Sequence, residues 1–287
     1  MRLQVEHETH YRYASPVLLS QQLLHLSPRA LPWQACEAHD LSIEPAPGER
    51  DARADFFGNP VTQILIAAPH PALRVLASTT VNVAPREREA LARPRAPWEA
   101  ARDEARGAAA AFIHESPHVE TWRDLAQFAA QSFPAGRTAL DGAVDLAHRI
   151  HAGFEFDRKA TSISTPLREV MKKRRGVCQD FAHLMIGALR ALGLGARYMS
   201  GYLLTEPPPG RTRLIGADAS HAWVSVYCGA AGGWVDLDPT NDCLVDDEHV
   251  TLGWGRDFGD VTPMRGVILG GGEQELAVRV TVTPLAE

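Results

Sequence analysis

Long apolar runs are missing from this 287-residue chain. No segment approaches the roughly 18 consecutive apolar residues that a membrane-spanning helix needs, so no membrane partner is expected. The opening Met1-Arg2-Leu3-Gln4-Val5-Glu6-His7 alternates like a strand and lacks the apolar centre of a signal peptide; a cytoplasmic protein is expected. Cysteine is scarce. Cys36, Cys178, Cys228 and Cys243 lie far apart and form no CxxC pair, which argues against a disulfide scaffold and a structural zinc site. An excess of basic charge is also absent: the net charge is -6 and the pI about 6.1, so no nucleic-acid partner is expected. No internal repeat or low-complexity segment interrupts the chain. Cofactor fingerprints are lacking too. Gly270-Gly271-Gly272 does not lead from a strand into a helix as a phosphate loop would, and reads as a tight turn. His148 and His151 have no third ligand at metal spacing, and Asp246-Asp247-Glu248 has no EF-hand pattern. The expectation is no cofactor and no metal.

What is present is an ordinary globular composition, 45% hydrophobic and 22% charged, enough to bury a core. Residues 1–86 carry short alternating runs separated by turn signals such as Pro47-Gly48 and Gly58-Asn59-Pro60, the pattern of a small β-sandwich. The Arg/Glu/Pro mixture at 87–97 reads as a linker. From Trp98 the apolar spacing turns helical, over 98–113, 119–133, 139–152 and 167–173. A helix from Cys178 to about Leu192 is apolar almost all round, as a buried helix should be, and Gly193 and Gly195 stop it. Strands follow at 197–204, 221–227, 234–238, 250–254 and 276–282. The expected organisation is therefore α+β: a β-rich domain, a linker, and a domain over 98–287.

Three residues carry the chemistry. Cys178 opens the buried helix, where the helix dipole and free N–H groups favour a thiolate and where an oxyanion can be held. Strand parity places His221, Trp223, Ser225 and Tyr227 on one face of their strand, and Asp236 and Asp238 on one face of the next. If Gly229–Gly233 turns the two strands into a hairpin, His221 lies near Asp238, with Asp236 further toward the turn. A thiol, a base and a carboxylate are the parts of a Cys-His-Asp acyl-transfer site. Taken singly, Cys178 has an alternative as a small core thiol, His221 as a satisfied histidine and Asp238 as a turn residue before Pro239; together they point to catalysis. Asp180 fits a helix-capping role, Gln179 the oxyanion site, and Asp236 a supporting carboxylate. His183 reads as a packed histidine; whether Arg256 and Asp257 pair at the edge of the site is not decided by the sequence.

Gly176-Val177-Cys178-Gln179-Asp180-Phe181-Ala182-His183, Ala196-Arg197-Tyr198-Met199-Ser200-Gly201-Tyr202, His221-Ala222-Trp223-Val224 and Trp234-Val235-Asp236-Leu237-Asp238-Pro239-Thr240-Asn241 resemble the transglutaminase-like cysteine peptidase superfamily. Thr9-His10-Tyr11-Arg12-Tyr13, Leu26-Ser27-Pro28-Arg29, Gly255-Arg256-Asp257-Phe258 and Gly266–Gly272 resemble its bacterial branch, which carries a β-rich N-terminal region. The resemblance covers nearly the whole chain. It implies a papain-like core with Cys178 as nucleophile, His221 as base and Asp238 as third member. It does not fix the reaction, since the superfamily includes crosslinkers, peptidases, amidases and members that have lost catalysis. The expected function is a thiol-dependent peptide or isopeptide hydrolase acting through a thioester, on a peptide or protein substrate. Transglutaminase activity and a non-catalytic binding module are the alternatives. The oligomeric state is not legible.

Overall fold

The computed structural model of the chain describes residues 1–205 and 220–286. In order, the elements are β1 (Arg2–Leu24), β2 (Gln34–Glu44), β3 (Glu49–Ala54), β4 (Pro60–Ile66) and β5 (His70–Val83). Next come α1 (Glu87–Ala92), α2 (Trp98–Ala108), α3 (Arg123–Ala130), α4 (Ala139–Gly153), β6 (Glu155–Phe156), α5 (Leu167–Lys173), β7 (Arg175–Gly176) and α6 (Cys178–Ala191). The remainder is β8 (Ala196–Leu203), β9 (Ser220–Tyr227), α7 (Gly229–Gly232), β10 (Trp234–Asp238), β11 (Cys243–Leu244), β12 (His249–Gly255), β13 (Met264–Gly270) and β14 (Gln274–Pro284).

β1 organises the N-terminal region. Its first half lies between β5 and β14, and its second half between β4 and β13. Pairing with β5 breaks between Arg12 and Val17, where Pro16 removes a donor from the ladder. The two halves thus belong to two layers. Leu41, Leu73, Val75 and Ala77 of one layer pack against Leu24, Ile64, Ile66 and Met264 of the other. This is the expected β-rich region, but with an addition. The strand expected at 276–282 belongs by position to the domain at 98–287, whereas β13 and β14 complete the N-terminal sheet. An alternating segment announces a strand, not its partner. Gly270, Gly271 and Gly272 all have positive φ (92, 88 and 64) and make the turn between these strands. The linker is not featureless either, since α1 lies within it.

The second sheet runs β11-β10-β9-β8-β12. Ala222, Val224, Val226, Val235 and Leu237 form its inner face and join Phe181, Leu184, Met185, Ala188 and Leu189 of α6 in the main core, with α3 and α4 contributing Leu125, Ala143 and Leu146. Burying each such large side chain stabilises the fold by roughly 1.5–3 kcal/mol. α6 ends as expected, because Gly193 takes the left-handed conformation (φ 80) that a Cβ disfavours.

The N-terminal region docks on β12, an edge strand of this sheet. Leu3, Val5, Val81, Val83, Val280 and Val282 meet Tyr202, Val250 and Leu252. Two buried amides complete the exposed edge as a neighbouring strand would. The Gln34 amide donates to the Thr251 carbonyl (2.8 Å) and its oxygen accepts from the Thr251 N–H (2.7 Å). Asn59 does the same for Trp254, at 2.8 and 3.0 Å. A Cβ at Gly253 would come within 2.6 Å of the Asn59 oxygen, so the close approach requires glycine there. Among the described residues no helix is long and apolar enough to cross a membrane.

Candidate active site

Cys178 is seated by its neighbours in sequence. Val177 is extended (φ -116, ψ 177) and α6 starts immediately after it. Asp180, in the first turn, folds back so that its Oδ2 accepts from the Val177 N–H at 2.8 Å and from the Thr161 hydroxyl at 2.6 Å. A Cβ on Gly176 would lie 2.6 Å from that oxygen. The Gly-Val-Cys-Gln-Asp run is thus a helix start in which glycine makes room for the carboxylate that caps it. Burial raises the Asp180 pKa, against the opposing pull of Thr161 and Val177. No side-chain cap occupies the N-terminus of α6 from the Val177 side, leaving first-turn N–H groups for a ligand oxygen.

β9 and β10 pair antiparallel, with Val235 opposite Val226 and Leu237 opposite Val224. Since these apolar residues face α6, His221 and Asp238 share the other face, and the His221 Nε2–H donates to Asp238 Oδ2 at 2.6 Å. The second ring nitrogen is then the one left for the thiol of Cys178, which lines the same cleft as His221. Burial alone would lower the His221 pKa, but the bonds and charges of Asp238 and Cys178 raise it to about 10. Asp238 is fully buried (0% exposed). Burial works against its ionisation, but His221, His249 and Asn241 hold it well below the usual carboxylate range. Its Oδ1 also accepts from the N–H groups of Thr240 (2.8 Å) and Asn241 (3.2 Å). A carboxylate with this many donors stays charged and fixed.

The thiol and imidazole open into a cleft of about 600 Å³, whose walls include Gln179, Tyr198, Phe156, Phe258 and Arg158. Among its described lining residues there is no carboxylate; Arg158 and His221 supply the positive charge.

Two regions of the chain match known families. Residues 3–82 match the bacterial transglutaminase-like N-terminal region, and residues 126–239 match the transglutaminase-like superfamily. An uncharacterized protein of Mycobacterium tuberculosis (strain ATCC 25618 / H37Rv) is 41% identical over 291 residues, 99% of this chain and 93% of its own length. The chain belongs to the transglutaminase-like superfamily. An uncharacterized Mycobacterium leprae protein is 30% identical over 301 residues, with 99% of both chains covered. The solved structure of a candidate cysteine protease from Cytophaga hutchinsonii superposes with a TM-score of 0.77 over 100% of this chain and 91% of that one; at 20% identity it shows a common fold. A protein-glutamine gamma-glutamyltransferase of Pseudomonas aeruginosa is 40% identical over 68 residues only, 23% of this chain and 10% of its own.

In this transglutaminase-like fold His221 and Asp238 meet as the strand parity requires, and Cys178 lines the same cleft as His221. Gln179 lines the cleft beside Cys178. Asp236 does not join them. Its carboxylate pairs with Arg86 at 2.9 Å, and although burial opposes ionisation, Arg86 and Arg197 keep its pKa low. The reason is tertiary: Arg86 arrives from the segment that follows β5 and takes the carboxylate nearest the turn. His183 is packed. Its Nε2 accepts from the Phe258 N–H at 3.1 Å, and burial, its largest influence, lowers its pKa to about 3. Arg256 and Asp257, which the sequence left undecided as a pair, take separate partners. Arg256 pairs with Asp260 at 2.9 Å, and Asp257 accepts from the N–H groups of His118 and Gly259. His249 lies one residue before the strand expected at 250–254 and in fact begins β12, and the sequence gives no hint of its partner. Its Nε2–H donates to Asp238 Oδ2 at 3.3 Å. His221, Asp238 and His249 are the described residues whose ligand atoms cluster, within 4.8 Å, and their 2.6 and 3.3 Å contacts are hydrogen-bond separations.

Proposed function

We propose that the chain is a thiol-dependent amide hydrolase acting on peptide or isopeptide bonds. The observation that carries this reading is the His221 imidazole, bonded to the buried Asp238 and sharing the wall of an open cleft with the Cys178 thiol. The Cys178 sulfur attacks the carbonyl carbon, and a C–S bond forms while the carbonyl oxygen becomes an oxyanion. First-turn N–H groups of α6 face that charge. The His221 imidazolium gives its proton to the amine nitrogen as the C–N bond breaks, leaving a thioester and neutral imidazole. Water then attacks the thioester, His221 takes its proton, and the C–S bond breaks to release a carboxylate product. The thioester carries no negative sulfur, so one of the influences that raises the His221 pKa disappears at the step where His221 must act as a base.

Hydrolysis is preferred because the described lining offers no carboxylate to bind an ammonium-bearing acceptor. The local similarity to a protein-glutamine gamma-glutamyltransferase favours a second reading, in which an amine rather than water takes the acyl group. The two separate in one experiment. An acyl-enzyme formed on Cys178 from a glutamine-containing peptide library is offered lysine-containing acceptors, and products are weighed by mass spectrometry. Carboxylate products support hydrolysis, and predominant isopeptide products sink it. Loss of all products in Cys178→Ala is expected; unchanged cellular function in that variant would favour the binding-module alternative.

A further inference from the structure

His249 is used by nothing in the reaction above, yet it is 4% exposed and lies against the catalytic carboxylate. Its Nε2 is 3.3 Å from Asp238 Oδ2, the same oxygen that receives His221 at 2.6 Å. The other ring nitrogen, Nδ1, is buried without a hydrogen-bond partner. A buried polar atom left unpaired destabilises a fold. The fold tolerates that cost while aiming Nε2 at Asp238, which marks the ring's placement as directed toward the carboxylate. The ring packs edge-on to Trp223, with centroids 5.3 Å apart. Trp223 in turn fills the space over Gly201, where a Cβ would come within 2.5 Å of the indole.

His249 begins β12, the strand that the N-terminal region holds by its edge. Gln34 clamps both backbone groups of Thr251, two residues further on, and Val250 and Leu252 sit in the apolar seam with β1, β5 and β14. An unclamped edge strand frays first. The clamp thus fixes the residue that touches Asp238.

We propose that His249 is a positioning residue: it holds the Asp238 carboxylate in line with His221 and couples the catalytic site to the N-terminal sheet through β12. The inference rests on the hydrolase reading only in that it takes Cys178, His221 and Asp238 as the reactive set. Around Asp238 the titratable groups are His221 from β9, His249 from β12 and Cys243 from β11, whose thiol is raised to about 12 by burial and then by Asp238.

The test uses full-length protein and limiting iodoacetamide, with labelling at Cys178 followed by intact mass and peptide mapping from pH 5 to 9. His249→Phe keeps the ring volume and removes the donor. It is expected to move the acid limb of the labelling profile up by about one pH unit and to slow labelling at pH 6 about tenfold. His249→Gln, whose amide reaches the Nε2 position, is expected to return the rate to within about threefold of wild type. A purely structural role would lower the melting temperature without moving the pH profile. Gln34→Ala leaves His249 in place and loosens β12. It is expected to slow labelling about threefold in the wild-type background and to add nothing to His249→Phe, the signature of coupled sites. Should His249→Phe fail to fold, Gln34→Ala and His249→Gln carry the test. An unshifted profile in His249→Phe, or in Gln34→Ala where only that variant folds, overturns the inference. Wild-type protein that is not labelled selectively at Cys178 overturns the hydrolase reading itself and is distinguished by that control.

Discussion

Replacing Asp238 by Asn removes one charge and one acceptor while keeping size and shape. Five hydrogen bonds converge on the carboxylate, three on Oδ2 from His221, Asn241 and His249 and two on Oδ1 from the Thr240 and Asn241 N–H groups. All five partners donate. An amide offers one oxygen and one NH₂, so whichever way it lies an N–H faces other N–H groups. A hydrogen bond to a charged group contributes about 1.5–3 kcal/mol, and each ~1.4 kcal/mol is a factor of ten. Loss of the bond to His221 alone therefore destabilises the imidazolium by about one to two decades. His221 loses the partner that does most to offset its burial, so its pKa falls from about 10. The expected result at pH 6 is Cys178 labelling by iodoacetamide that is about 10- to 100-fold slower than wild type. The assay is intact-mass kinetics, with the His221 ring protons followed by NMR and a thermal melt to establish folding. A folded Asp238→Asn variant that labels within threefold of wild type, with an unmoved His221 titration, would refute the reasoning.

Three further outcomes follow from the same geometry. His221, raised from 6.5 to about 10, contributes stability that is complete below pH ~6.5 and lost as the pH climbs toward 10, while Asp238, depressed below its ordinary 3.8, contributes stability that is lost as acid is added below pH ~4. The melting temperature should fall on both sides of that window, and the alkaline fall should shrink in His221→Phe. Gly176→Ala drives a methyl to within 2.6 Å of the Asp180 carboxylate and is expected to cost about 1 kcal/mol by unseating the cap, measured by urea unfolding; equal stability would show that Asp180 can swing aside freely. A chain ended after residue 263 loses β13 and β14 and with them the buried Val280 and Val282, worth roughly 3–6 kcal/mol; monodisperse, folded material from that truncation would contradict the pairing with β1.

Local pattern was enough for the parts of the site that local pattern controls. Cys178 opens a helix because glycine, an extended valine and a capping aspartate precede and follow it within five residues. His221 and Asp238 share a face because side chains alternate along strands, and a short glycine-rich connection lets two such strands pair. The β-rich opening, the helical middle and the buried α6 were legible for the same reason, since period and punctuation are written in neighbouring residues. What only the tertiary structure decided are the meetings of residues far apart in the chain. β14 pairs with β1 across more than 250 positions, and alternation gives every strand a face but none a partner. Parity and hairpin register set Asp238 beside His221, but only the tertiary structure brings Arg86 onto Asp236. His249 lies just outside the strand expected at 250–254, and reaches Asp238 only because β12 joins the sheet beside β8 and two amides from the N-terminal region hold its edge.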